Sequence, residues 1–263
     1  MRGRYPTRLW TLLGVGAIAL GACSADAQIV NVQPMLASES KEGLSGAVEG
    51  SSEIRTGNTE LSLVNGNGRI GYRSGADFAF LLLRAEYGLR SGQQVFLSRN
   101  LEHLRYRHHL AGPLELELFA QHDRDRFRRL ALRQLFGLGH RLTLLDEEEV
   151  NLAVGLAGML EFEQLSEGPQ PDAGSEVLAY RISSYVTVGI KLDERLQLSQ
   201  AIYVQPKAAD PADVRVLEDT EFRVKTAKHL GVKLIFTLAY DSKPPIDVQR
   251  GDALFRTAIE LKF

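Results

Sequence analysis

Apolar and polar residues alternate with a period of two along most of this chain. The pattern is cleanest from Leu114 onward, where Leu114, Leu116, Leu118 and Ala120 share one parity and Glu115, Glu117, Gln121 and Asp123 the other. It recurs in Leu178, Tyr180, Ile182, Val186, Val188, Ile190 and Leu192. It closes the chain, where Phe255, Thr257, Ile259, Leu261 and Phe263 oppose Arg256, Ala258, Glu260 and Lys262. Successive side chains of a strand point to opposite faces, so each stretch predicts a strand with one oily and one polar side. Phe255 and Phe263 share a face and stand roughly 20 Å apart in height on a tilted strand, close to the spacing of two aromatic girdles.

Turn chemistry divides the chain into about twelve such strands, the even number that bacterial single-chain barrels require. The expected strands are Leu44–Arg55, a second ending at Arg73, Phe78–Gly88, Val95–His108, one from Leu114, one from Leu130, one from Val150, one from Leu178, Leu196–Gln205, Val214–Thr226, Leu230–Tyr240 and the C-terminal strand. Thr56–Thr59 reads as a turn. In the second strand Leu61 and Leu63 have one parity and Ile70 and Tyr72 the other, which predicts a bulge in its glycine-rich middle. The third strand is apolar on both parities, and the fourth is the most polar. The three longest connections, Gln164–Glu176, Pro206–Asp213 and Asp241–Asp252, all come after odd-numbered strands, whereas Ser74-Gly75, Asp193-Glu194 and Ala227–His229 are short. Long external loops and short periplasmic turns are the asymmetry of an outer-membrane barrel with both termini inside. The fold class expected is all-β: a closed antiparallel up-and-down transmembrane barrel.

Energy decides which parity meets lipid. An Arg or Lys on the lipid side at mid-depth costs about 2–4 kcal/mol, so the charged parity faces the lumen. Candidate lumen-lining residues are Glu115, Glu117, Arg129, Arg133, Glu161, Glu163 and Arg181, with Glu53, Arg55, Arg84, Glu86, Asp123, Lys191, Lys233, Arg256, Glu260 and Lys262 on the same side. The fifth and sixth strands are expected to set Glu115 and Glu117 against Arg129 and Arg133. Such pairs either brace the wall or form a charged constriction. Twelve strands lie between the filled barrel of eight and the open channel of sixteen, so size leaves both open.

Composition adds location. The 263 residues carry 31 Lys and Arg against 33 Asp and Glu, a net charge of −2. That balance gives no argument for a nucleic-acid partner. No run of eighteen apolar residues is present, so no transmembrane helix is predicted. Arg2, Arg4 and Arg8 precede an apolar Leu9–Ala22, and Ala25-Asp-Ala27 fits a small-x-small cleavage site. Residues 1–27 are expected to be a cleaved export signal, 28–42 a periplasmic lead and 43–263 the barrel. Leu20-Gly-Ala-Cys23 offers a competing lipidation site. Under ordinary cleavage the single cysteine is lost and no disulfide is needed.

Chemistry is sparse. Gly66-Asn-Gly-Arg-Ile-Gly71 matches a dinucleotide fingerprint, but the residues after it read as a strand end and a turn rather than the helix such a site requires. His103, His108, His109 and His122 are expected to be exposed and solvated; neighbours on a strand point to opposite faces and cannot share a metal. No Gly-x-Ser-x-Gly is present. No catalytic, cofactor or metal residue is expected, and the chain is not expected to be an enzyme. Two other readings stay open: an outer-membrane lipid-modifying enzyme, and a soluble periplasmic ligand-binding barrel.

Gly57-Asn-Thr59, Arg69-Ile-Gly-Tyr-Arg73, Asp125-Arg-Phe-Arg-Arg-Leu130, Gly137-Leu-Gly139 and Tyr240-Asp-Ser-Lys-Pro-Pro245 resemble the bacterial salt-induced outer-membrane protein family (YdiY-like), over Gly43 to Phe263. The resemblance implies an outer-membrane barrel, a link to salt or osmotic stress, and no catalytic residue. The terminal Phe263 also resembles the signal read by the barrel-assembly machinery. Expected partners are that machinery and outer-membrane lipid, around a monomer.

Overall fold

The predicted alternation is realised as twelve antiparallel strands closed into one barrel. The structure is a computed structural model and describes residues 42–55, 61–90 and 94–262. The expected export signal, Cys23, the turn at Thr56–Thr59 and Phe263 lie outside the described residues. The strands are β1 (Gly43–Arg55), β2 (Leu61–Ser74), β3 (Asp77–Arg90), β4 (Gln94–Ala111), β5 (Leu114–Asp125), β6 (Leu130–Asp146), β7 (Val150–Leu165), β8 (Glu176–Lys191), β9 (Leu196–Lys207), β10 (Asp210–Lys225), β11 (Leu230–Asp241) and β12 (Gly251–Lys262). Each pairs with its sequence neighbours, and β1 closes on β12. Closure is needed because an open sheet edge would leave backbone N–H and C=O groups without partners. At that seam the described pairing runs from Ala47–Gly50 against Ile259–Lys262.

The faces sort as the charge argument requires. Leu44, Tyr72, Leu104, Phe136, Leu156, Tyr180, Phe236 and Phe255 stand exposed on the outside. Arg107, Arg133, Lys233, Glu117 and Glu260 are almost completely buried inside. A soluble barrel would need the reverse partition. The interior is not purely ionic, however. Tyr185, Ala201, Tyr203, Leu217 and Ala239 pack together on one wall, and Phe78, Phe80, Leu82 and Leu101 on another. The third strand, ambiguous by pattern, therefore turns its Phe78, Phe80 and Leu82 inward and its Leu81 and Leu83 outward.

Two expectations change. β2 carries no bulge: its register is continuous from Leu61 to Arg73 with β1 and from Leu61 to Ser74 with β3. Its parity never switches; Leu63 simply faces inward, half-buried. The Gly66–Gly71 run is regular strand within β2 and opens no helix. The connection expected over Pro206–Asp213 shrinks to 208–209, because β9 extends to Lys207 and β10 begins at Asp210. A register shift between Asp210 and Val214 absorbs Pro211, which suits a residue confined to edges and bulges by its missing N–H. The two other long connections, 166–175 and 242–250, remain on the predicted side. Those opposite them, at 75–76, 112–113, 147–149, 192–195 and 226–229, are short.

Two interior glycines have a packing reason. A Cβ on Gly137 would lie 2.0 Å from the Phe119 ring, and one on Gly155 would lie 2.1 Å from the Tyr185 ring. Only a bare backbone lets these rings lie flat on the wall.

Candidate functional site

The lumen is the candidate site, and buried ion clusters cross it. The first straddles the closing seam. Lys233 of β11 places its Nζ 2.6 Å from Glu49 of β1, 3.0 Å from Glu221 of β10 and 3.0 Å from Glu260 of β12. Arg69 of β2 reaches Glu260 at 2.7 Å and Glu49 at 3.3 Å, while Arg223 of β10 meets Glu221 at 3.0 Å. Three cations balance three carboxylates. Where the described seam pairing is short, side chains tie five strands together.

A second cluster centres on Glu161 of β7. It accepts from Arg133 of β6 at 2.6 Å, from Arg181 of β8 and from Arg215 of β10. Arg215 also donates to Glu163 and Asp241, each at 3.0 Å, and Arg181 to Asp213 at 2.9 Å. A third centres on Glu117 of β5, which accepts from Arg107 at 2.6 Å and from the Tyr185 hydroxyl of β8 at 2.7 Å. Arg105 lies over the rings of both Phe119 and Tyr185. A fourth forms a chord: Arg256 of β12 donates to Glu86 of β3 at 2.6 Å, Glu86 faces Arg99 of β4, and Arg99 faces Asp125 of β5.

Most of the predicted lumen residues do line the interior. Glu117, Arg133, Glu161 and Arg181 are buried there, and Glu115 and Glu163 are mostly covered. The predicted partners are wrong. Glu115 pairs in register with Arg141 and bonds it at 2.9 Å; Glu117 lies opposite Gly139; and Arg133 lies opposite Asp123. Arg129 is not a wall residue at all. Register shifts flank the start of β6, at Asp123/Asp125 and at Leu130/Leu132, and Arg129 falls in the turn before it with φ 59°. Arg69, Arg105, Arg107, Arg215 and Arg223 were missed. Their signal was present, since in β4 Arg99, His103, Arg105 and Arg107 share one parity. His103 is a further correction: it is buried rather than solvated, stacked between Phe80 and Phe119 at 6.1 Å from each and 3.2 Å from the Gln121 amide oxygen. His108 is half-exposed and sits 2.8 Å from Asp77, which also accepts from Tyr106.

The two ends of the barrel differ. At the end of the short turns, a vestibule of about 710 Å³ is lined by Arg73, Glu115, Arg141, Glu147 to Glu149, Lys191 and Arg223. Deeper, among Glu49, Arg69, Arg84, Lys233 and Arg256, the free space falls to about 60 Å³, room for a few waters only. At the other end, the long connections lie across the mouth. Arg129, between β5 and β6, donates to the carbonyl of Ile246 and to Asp172, each at 2.8 Å. In a ring of twelve, the β5–β6 turn and the β11–β12 connection are diametrically opposed, so segment 242–250 must cross the opening to reach it. Asp172 also accepts from the Ile246 N–H at 2.8 Å. That backbone hydrogen bond, then Arg129, holds the Asp172 carboxyl below its ordinary value. Arg129 and Asp247 are the non-glycine residues in left-handed backbone among the described residues, and both lie in this roof. Such backbone persists only where surrounding contacts over-determine it.

Comparison with known proteins places the chain. The family model described as "Protein of unknown function, DUF481" matches residues 48–263, and the chain belongs to that family. No curated protein matches it. Among solved structures, the NanC porin superposes with a TM-score of 0.50 at 7% identity, covering 84% of this chain and 100% of that one. The translocator domain of the autotransporter NalP from Neisseria meningitidis gives 0.48 at 11% identity, covering 88% and 93%. The KdgM porin gives 0.41 at 8% identity, covering 84% and 99%. At these identities the likeness is one of fold: a closed twelve-stranded antiparallel barrel.

Proposed function

We propose that this DUF481 member is an integral barrel of the bacterial outer membrane, inserted by the barrel-assembly machinery, whose resting lumen is shut by its own side chains. Its role is then a structural one in the envelope rather than that of an open pore, and no catalytic step is assigned to it. The observation that carries this reading is the set of buried ion pairs spanning the interior between strands that are not neighbours. The oily exterior supports placement in lipid, because every strand but β10 would otherwise expose large apolar side chains to water. Planar-bilayer conductance of the refolded protein tests the shut lumen. Silence is expected; stable discrete openings would replace it with a narrow pore leading from the wide vestibule. Carbonate-resistant, heat-modifiable behaviour tests the membrane placement.

The resemblance to salt-induced proteins supports a finer role in osmotic or salt stress. Protein abundance rising with external salt, and salt sensitivity on deletion, are the expected results. One observation favours a second reading, in which the barrel modifies lipid: the His108–Asp77 pair places a histidine beside a carboxylate near the inner rim. Release of label from phospholipid or lipopolysaccharide, abolished by His108→Ala, would establish that reading instead.

A further inference from the structure

The oily exterior is interrupted near the middle of β10. Glu218 points outward there, between Val216 on one side and Thr220, Phe222 and Val224 on the other. Thr220 donates its hydroxyl to the Glu218 carboxylate, and Gln200 of β9 donates its amide to Glu218 at 3.1 Å and to the Thr220 oxygen at 3.3 Å. Above and below, the same face carries Leu198, Ile202 and Val204 on β9 and Leu234, Phe236 and Leu238 on β11. All three bonds fall on one carboxylate oxygen or on Thr220; the second oxygen of Glu218 accepts no hydrogen bond among the described residues. Acyl chains offer no donor at this depth. An ionisable side chain on the lipid face is costly, so its presence marks a surface that something polar covers.

We propose that the outer face of β8 to β11 is the contact of a two-fold homodimer within the membrane. This rests on the membrane reading above. The patch contains both donors and acceptors, so it is complementary to itself, as an isologous interface requires. A two-fold axis parallel to the barrel axis, running between β9 and β10, turns the Gln200 side of one copy toward the Glu218 and Thr220 side of the other, twice over. The same operation brings the β8 side of each copy against β11 of its partner. There a concavity of about 440 Å³, lined by Leu156, Ser184, Val186, Ile202 and Val204, meets the exposed Phe236 and Leu238. A polar pair supplies register and an aromatic fills the hollow, the division of labour expected where apolar surface alone gives no drive to associate.

Disulfide trapping in native outer membranes tests this. In a Cys23→Ser background, Thr220→Cys lies beside the axis and is expected to give a dimer on mild oxidation. Leu104→Cys, on the opposite wall, is expected to give none. Adding Glu218→Leu removes the reciprocal hydrogen bonds and is expected to lower dimer yield at limiting protein by about tenfold. A Thr220→Cys protein that stays monomeric while remaining carbonate-resistant and heat-modifiable overturns the dimer and leaves the membrane reading standing. A cross-link to a different protein also overturns it. Release by carbonate would remove the membrane reading, and the dimer with it.

Discussion

Lys233→Met probes the seam cluster directly. The lysine is 1% exposed and its ammonium sits between Glu49, Glu221 and Glu260 at 2.6, 3.0 and 3.0 Å. Methionine matches its length without its charge. Three buried carboxylates would then face only Arg69 and Arg223, leaving one negative charge uncompensated. Breaking a buried pair in this way costs about 3–5 kcal/mol, a large part of the roughly 5–15 kcal/mol that ordinarily holds a domain together. The double variant Lys233→Met, Glu260→Gln restores neutrality, with Glu49 and Glu221 against Arg69 and Arg223. It is expected to recover about 1–3 kcal/mol relative to the sum of the single effects. The assay is guanidinium unfolding of the refolded barrel in micelles, followed by gel mobility, with a shifted midpoint at unchanged slope. A loss below about 1 kcal/mol for Lys233→Met, or strict additivity in the double variant, would refute the idea that this cluster braces the closure.

The other expected outcomes are more local. Glu161→Ala deprives Arg133, Arg181 and Arg215 of their shared acceptor and is expected to destabilise by about 3–5 kcal/mol on the same gel assay. Gly155→Val drives a side chain into the Tyr185 ring and is expected to cost about 1–3 kcal/mol, whereas Gly158→Val, on the open outer wall, is expected to cost little. Asp172→Ala is expected to free segments 166–175 and 242–250, seen as faster protease nicking of intact cells. The Asp172 carboxyl is lowered in the folded state, so its hold on Ile246 is complete above the ordinary value of 3.8 and fades as pH falls through the lower folded value. Nicking by an acid-active protease is therefore expected to rise below about pH 4 in the parent and to be flat in Asp172→Ala.

Strand number, closure and the inward parity were legible because period-two alternation and the cost of charge in lipid act residue by residue. Glu161, Arg133 and Arg181 could be placed inside from parity alone. Their partners could not, because pairing depends on register, and the shifts beside Asp123 and Leu130 change which residues meet. Arg129 shows the same failure: it keeps the right parity in sequence but belongs to a turn. Long-range bonds such as Arg256 to Glu86 depend on which non-neighbouring walls face one another across the lumen, which no local pattern encodes. The supposed bulge in β2 arose from treating Leu63 as obligatorily lipid-facing, whereas this lumen accepts leucine, alanine and tyrosine. The outward Glu218 was hidden for the opposite reason, since the charge rule predicts its absence.

The partition of side chains between lipid and lumen underlies every conclusion above, and one fluorescence series tests it most directly. The sequence has a single tryptophan, Trp10, within the expected export signal, so single tryptophans placed along β3 from Phe80 to Tyr87, across the ring from the proposed dimer contact, would report cleanly in vesicles of brominated lipid. Quenching is predicted at Leu81, Leu83, Ala85 and Tyr87 and not at Phe80, Leu82, Arg84 or Glu86. Equal quenching at both parities, or quenching confined to the second set, would contradict the account.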